Sequence, residues 1–260
     1  MTLRWEPHGP ARGEVALLHG VMALAETWWQ IGPALADRGW RVVAIDLPGH
    51  GGDARRDGAL DLEALVDGVA TRLDGPVDLL AGHSLGAIVA LGLLARDPAA
   101  ARAVVLEEPP APGSIDLAAL AAVIAQDAAA VRRDRAPLLA REREANPRWD
   151  PGDVERSVRG IEEADTDAVV AALQGPLRWD LSALLAGVGV PALVLAAPDA
   201  QGTFPLEPGS ALRGADRDDV RAALGPEGFV VLDGAHCLHR DDPARWVELV
   251  DGFASATLDR

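Results

Sequence analysis

A serine flanked by glycines is the residue with the clearest potential for chemistry. Ser84 stands in the pentapeptide Gly-His-Ser-Leu-Gly of residues 82–86, after an apolar segment at residues 77–81 and before a small-residue helical pattern that reaches about residue 96. The apolar segment predicts a strand, so the whole pattern predicts a sharp strand-to-helix turn with the serine at its tip. Such a turn is a nucleophile elbow.

The spacing of the two glycines has a physical reason. A serine in this turn has a strained backbone, and Cβ atoms at Gly82 and Gly86 would collide with neighbouring atoms. The turn also places Ser84 at the positive end of the following helix and leaves the backbone N–H of Leu85 free to donate to an oxyanion. Ser84 is therefore the predicted nucleophile.

The elements around this turn alternate between strand and helix patterns. Strands are predicted at residues 3–6, 14–18, 41–45, 77–81, 103–106, 192–196 and 229–232. Helices are predicted at residues 28–38, 61–73, 85–96, 116–144, 153–173 and 243–255. Alternation of this kind predicts an α/β fold with a mostly parallel sheet and helices on both faces.

Composition limits what this fold can do. The 260 residues carry a net charge of −16, which disfavours nucleic acid and anionic membrane surfaces as partners. The single cysteine, Cys237, excludes an intramolecular disulfide, and the N-terminal residues show no apolar run behind a basic start. We expect a cytoplasmic monomer or homodimer that uses no cofactor and no metal and acts on a small molecule.

Four local patterns resemble the α/β-hydrolase superfamily in order and spacing. They are His19-Gly20 and Asp46-Leu47-Pro48-Gly49-His50-Gly51, each after a strand, the elbow itself, and Asp233-Gly234-Ala235-His236 after the last strand. The resemblance, to a serine esterase-like member, implies a core domain of residues 1–108 and 186–260. It also implies a helical cap, inserted as residues 109–185.

The same resemblance implies the base and the oxyanion hole. His236 is the expected general base because it follows the final strand, and His239 is its rival. The oxyanion donors are expected to be the backbone N–H groups of Val21 and Leu85.

The position of the acid is open between two places. Asp199 lies in the loop after the penultimate strand and is the first choice. The sequence departs from the family there, because Ala196 stands where glycine is more usual. Glu107 or Glu108, at the end of the preceding strand, are the alternatives.

Substrate contacts are harder to predict. The candidate pocket residues are Met22, Trp28, Trp149 and Cys237.

The sequence also argues against several reactions of the family. Ser84 at the elbow and the absence of tyrosine oppose epoxide hydrolases and haloalkane dehalogenases, and the absence of lysine opposes plant-type hydroxynitrile lyases.

The resulting hypothesis is a serine hydrolase that cleaves an ester or lactone of a small, fairly apolar substrate through an acyl-enzyme on Ser84. The alternatives are a type II thioesterase, a perhydrolase-like enzyme, and a hydrolase-fold protein that binds a ligand without turnover.

Overall fold

Seven strands form one sheet in the computed structural model of the chain, which describes residues 2–53, 59–206 and 209–258. The strands are β1 (Thr2–Trp5), β2 (Gly13–Leu18), β3 (Trp40–Ile45), β4 (Val77–His83), β5 (Ala101–Glu107), β6 (Ala192–Ala196) and β7 (Phe229–Val231). Their order is β1-β3-β2-β4-β5-β6-β7, with β1 antiparallel to β3 and every other pair parallel. The predicted α/β fold with a mostly parallel sheet is confirmed.

Helices cover both faces of this sheet. The α-helices are α1 (Ile31–Ala36), α2 (Leu62–Ala70), α3 (Leu85–Arg96), α4 (Leu117–Val131), α5 (Ala136–Ala145), α6 (Pro151–Glu163), α7 (Thr166–Gln174), α8 (Leu181–Ala186), α9 (Gly214–Leu224), α10 (Leu238–Asp241) and α11 (Pro243–Leu258). Short 3-10 helices span Ala25–Trp28 and Gly51–Asp53. No helix of the described ranges combines the length and the apolar character needed to cross a bilayer.

The helical boundaries differ from the sequence-based ones where aspartates interrupt long patterns. The pattern at residues 116–144 forms two helices, α4 and α5, and in the segment between them the carboxylate of Asp134 accepts the amide N–H of Ala136, the first residue of α5. The pattern at residues 153–173 is divided in the same way, by Asp165 at the start of α7. The short helix α8 and the polar helix α9 were not predicted.

Two apolar clusters lie on opposite faces of the sheet. One contains Ile88 and Leu91 of α3 together with residues of the helices between β5 and β6; the other contains the buried indoles of Trp28, Trp40 and Trp246. Burial of these large side chains on both faces fixes the sheet and holds the strand ends in place. The segment between β5 and β6, which contains the five helices α4–α8, is called the helical insertion below.

Strand register decides which residues meet at the carboxyl edge of the sheet. His83 of β4 is paired with Glu107 of β5, and Glu107 is paired in turn with Leu195 of β6. The residues that directly follow these strands therefore emerge side by side, and Ser84 and Glu108 are neighbours across two strand ends.

Candidate active site

Ser84 occupies the sharp turn between β4 and α3. Its backbone has φ 52° and ψ −117°, a conformation that is strained for a residue with a Cβ atom. A Cβ atom on Gly82 would overlap the carbonyl of Gly86, and one on Gly86 would overlap the carbonyl of Leu18. The two glycines therefore permit the close approach that the turn requires, as the sequence predicted.

His236 lies against the serine. Its Nε2 atom is 3.0 Å from Ser84 Oγ, and its ring packs against Phe204 with 4.5 Å between ring centroids. His83 donates a hydrogen bond of 2.8 Å from Nε2 to the carbonyl oxygen of His236. Because burial lowers the pKa of His83 well below its ordinary value, this ring stays neutral and serves as a fixed donor.

Glu108 is the carboxylate that reaches His236. Its Oε2 atom is 3.2 Å from His236 Nδ1, and its side chain is fully buried. The same carboxylate accepts hydrogen bonds from the amides of Ala197 and Ala211, at 2.7 and 2.6 Å, and from the hydroxyl of Ser210 at 2.8 Å. These donors satisfy a charge that burial alone would destabilise.

Asp199, the residue preferred from sequence, does not reach the histidine. It is exposed, and its Oδ1 atom accepts the amide N–H groups of Ala200 and Gly214. The expectation is corrected because the loop after β6 contributes hydrogen-bond donors to Glu108 instead of an acid. Sequence reasoning missed Ser210 entirely, although the alanine at position 196 was a signal that this loop departs from the family pattern.

Glu107 points to the other side of the strand and belongs to a separate, buried network of hydrogen bonds. It accepts hydrogen bonds from the His239 amide at 3.1 Å and from Trp246 Nε1 at 2.9 Å, and it lies 2.8 Å from His239 Nδ1. His239 Nε2 lies 3.3 Å from Thr27 Oγ1, to which Arg240 donates from Nε and Nη2. His239, the rival base, is thereby directed away from Ser84.

The donors in this hydrogen-bond network fix the position of the ring proton of His239. Arg240 occupies both lone pairs of Thr27 Oγ1, so the threonine hydroxyl hydrogen is left for Nε2 of His239. The ring proton of His239 is then on Nδ1 and points at the carboxylate of Glu107. Burial raises the pKa of Glu107, and burial together with the charge of Arg240 lowers the pKa of His239 well below its ordinary value.

The loop after β2 is held in place beside the elbow. The His19 ring accepts the amide N–H of Leu47 at Nε2 and donates from Nδ1 to the carbonyl of Gly20. Burial lowers the pKa of His19 to about 3, so this ring is neutral. Among the described residues, no hydrogen bond joins the backbone N–H of Val21 or of Leu85 to a protein acceptor.

The four predicted pocket residues have different surroundings. Met22 is nearly buried in the same apolar cluster as Leu85 and has a positive φ of 56°. Trp28 is fully buried between His239 and Trp246, so its prediction as a substrate contact is corrected: its indole is part of the core.

Trp149 and Cys237 both lie next to the chain segment that carries His236. The indole Nε1 of Trp149 donates to Asp241 at 3.0 Å. Burial raises the pKa of Cys237 to about 12, so its thiol is protonated at neutral pH and is a poor nucleophile.

One group of buried side chains has the residue types of a metal site. Single atoms of His83, Glu107 and His239 lie within 4.8 Å of one another. Each of these side chains already makes hydrogen bonds inside the protein, His83 to His236 and the other two to each other. Their chemistry therefore fits a hydrogen-bonded network better than a set of metal ligands.

Taken together, the sheet order and the serine at the tip of a strand-to-helix turn define the class of α/β proteins built around a nucleophile elbow. Within that class, residues 15–249 match the family described as "Alpha/beta hydrolase family". The chain belongs to the α/β-hydrolase family.

Curated relatives are similar over part of the chain. The pimeloyl-[acyl-carrier protein] methyl ester esterase of Neisseria meningitidis serogroup A is 44% identical over 93 residues, which are 36% of this chain and 29% of that protein. The putative carbamate hydrolase RutD of Variovorax paradoxus is 38% identical over 116 residues, 41% of this chain and 42% of that protein. The chain thus spans less than half the length of these relatives.

Solved structures share the fold over nearly the whole chain. The enol-lactonase from Burkholderia xenovorans LB400 superimposes with a TM-score of 0.75 at 20% identity, covering 98% of this chain and 96% of that one. E-2-(acetamidomethylene)succinate hydrolase gives a TM-score of 0.73 at 19% identity, with coverages of 97% and 93%. At these identities the similarity concerns the fold.

Proposed function

We propose that the protein is a serine hydrolase that cleaves an ester or lactone of a small, fairly apolar substrate. The observation that carries this proposal is the continuous contact from Ser84 Oγ to His236 Nε2, at 3.0 Å, and from His236 Nδ1 to Glu108, at 3.2 Å. The esterase named among the partial relatives and the enol-lactonase among the structural neighbours support the same reaction class.

The proposed reaction starts at the elbow. Ser84 Oγ attacks the substrate carbonyl carbon while Nε2 of His236 removes its proton, and the carboxylate of Glu108 stabilises the imidazolium that forms. The amides of Val21 and Leu85 hold the oxyanion. Collapse of the tetrahedral intermediate breaks the bond to the leaving oxygen, which takes the proton from His236. Water, activated by the same histidine, then releases the acyl group from Ser84.

The apolar character of the substrate is inferred from the surroundings of the elbow. Leu85 and Met22 belong to one apolar cluster with Leu120 of α4 and with Val169 and Leu173 of α7. We propose that the helical insertion acts as a cap that covers the site and gives an apolar wall to the acyl group.

We further propose a cytoplasmic location, because the single cysteine is a free thiol.

Turnover of a panel of p-nitrophenyl esters, lactones and acyl thioesters tests this function. We expect multiple turnovers of short-chain esters or lactones by the wild type, and a loss of at least about 10⁴ in kcat in each of Ser84→Ala and His236→Ala with the fold intact by circular dichroism. One equivalent of product without further turnover would favour a ligand-binding protein. Activity confined to thioesters would favour a thioesterase.

A further inference from the structure

The loop that carries His236, residues 233–236, is held by hydrogen bonds along its length; we call it the histidine loop. Arg148 donates to the backbone carbonyl of Asp233 at 2.8 Å and to its carboxylate at 2.7 Å. The amide of Ala235 donates to Asp241 Oδ2 at 2.6 Å, and the carbonyl of His236 accepts the bond from His83 described above. The position of the His236 ring depends on these bonds, since the loop has no regular secondary structure of its own.

The carboxylate of Asp241 also binds the helical insertion. Its Oδ1 atom accepts the indole N–H of Trp149 at 3.0 Å, while Oδ2 holds the amide next to His236. The guanidinium of Arg240 lies over the Trp149 ring, 4.6 Å from its centroid. One side chain therefore links a residue of the insertion to the backbone amide directly before His236.

The sequence of the histidine loop leaves room for this carboxylate. A Cβ atom on Gly234 would lie 2.7 Å from Asp241 Oδ2, inside the contact distance of carbon and oxygen. A side chain at position 234 would therefore displace Asp241 from the Ala235 amide.

We propose that Trp149 and Asp241 are positioning residues for His236. Trp149 fixes Asp241, Asp241 fixes the Ala235 amide, and the amide fixes the backbone from which the imidazole reaches Ser84. This inference rests on the proposed function, in which His236 is the base. It also gives Trp149 a different function from the substrate contact predicted from sequence, because its indole N–H is bound to the protein.

The chain contains a matched control for the Trp149 contact. Trp29 donates from Nε1 to Asp153 Oδ1 at 2.8 Å, and Arg156 lies over its ring at 4.4 Å. This second set of tryptophan, aspartate and arginine ties α6 to the core, and among the described residues none of its hydrogen bonds goes to the histidine loop. Trp149→Phe and Trp29→Phe each remove one indole donor and keep an aromatic ring.

Steady-state kinetics with an ester substrate separate the two contacts. We expect Trp149→Phe to lower kcat about threefold to tenfold with KM unchanged, the effect of one lost hydrogen bond on the geometry of the base. Trp29→Phe should leave kcat within about twofold, while calorimetry shows a similar fall in Tm for both variants. An equal effect of the two variants on kcat, or a rise in KM alone for Trp149→Phe, would overturn the proposal.

A double-mutant cycle tests the route through Asp241. Asp241→Ala removes the acceptor of both bonds, so Trp149→Phe should add less than about 1.5-fold to its effect on kcat. Multiplicative effects of the two changes would contradict a shared route.

The proposed function is checked separately by Ser84→Ala. Turnover that survives in that variant refutes the acyl-enzyme, whereas unaltered kinetics of Trp149→Phe refute only the positioning of His236 by Trp149.

Discussion

The carboxylate of Glu108 lies 3.2 Å from Nδ1 of His236, on the side of the ring opposite to Ser84. Both oxygens of this carboxylate are held by donors from the loop after β6, and the side chain is excluded from solvent. A fixed, buried carboxylate at Nδ1 keeps the ring in the tautomer that presents a basic Nε2 to the serine.

Glu108→Gln should reduce kcat on the order of 10⁴-fold, because a neutral amide can donate to Nδ1 and stabilise the wrong tautomer. Steady-state kinetics with an ester substrate measure the loss, and circular dichroism verifies the fold. Asp199→Asn is the control and should stay within about twofold of wild type, since Asp199 is exposed and bonded to other amides. If Glu108→Gln were nearly fully active and Asp199→Asn inactive, Asp199 and not Glu108 would be the acid.

Glu107→Gln should mainly affect stability. The amide group of glutamine would place a donor against His239 or Trp246, both of which donate to Glu107 in the native chain. We expect the free energy of unfolding in urea to fall by roughly 1–3 kcal/mol, with kcat changed by less than about tenfold. A loss of kcat as large as that of Glu108→Gln would contradict the prediction that Glu107 acts on stability and Glu108 on catalysis.

Gly86→Ala should prevent formation of the elbow, because the added methyl group would overlap the carbonyl of Leu18. The expected result is a destabilisation of at least about 3 kcal/mol or a protein that does not fold, measured by urea denaturation. Gly252→Ala in α11 is the matched control: its Cβ atom has open space, so it should be neutral or stabilise by up to about 1 kcal/mol. Comparable stability of the two variants would refute the steric account.

The buried histidines predict a loss of stability in acid. The pKa of His19 falls to about 3 in the folded state, while an unfolded histidine has a pKa of about 6.5. Between these values the unfolded chain binds the extra proton, so the free energy of unfolding decreases as pH falls through this window. His83 and His239, whose pKa values are also lowered by burial, act in the same direction.

The His19 contribution is measured by urea denaturation between pH 7.5 and pH 5. His19→Gln should reduce the slope of unfolding free energy against pH by up to about 1.4 kcal/mol per pH unit, the value for one proton. A slope that is identical in wild type and His19→Gln would contradict the prediction.

The strands and the elbow could be predicted because their signals are local. The apolar segments became strands at nearly the predicted positions, and the two glycines around Ser84 act through contacts with their immediate neighbours in the turn. His236 could be placed because the last strand delivers it to the carboxyl edge of the sheet, where the elbow also ends.

The acid could not be settled in this way, because two strand ends can supply a carboxylate to the same imidazole. The choice depends on which carboxylate finds donors, and those of Glu108 come from residues 89 to 103 positions away in the chain. The core position of Trp28 and the contact of Trp149 with Asp241 depend on packing between distant segments for the same reason.

Covalent labelling of Ser84 tests the central claim most directly. The wild type and Ser84→Ala are treated with a small fluorophosphonate, and intact mass followed by peptide mapping locates the adduct. The account predicts one adduct per chain on the peptide that contains Ser84, and none in Ser84→Ala. A folded wild type that stays unlabelled with small and large probes, or an adduct that persists in Ser84→Ala, would contradict it.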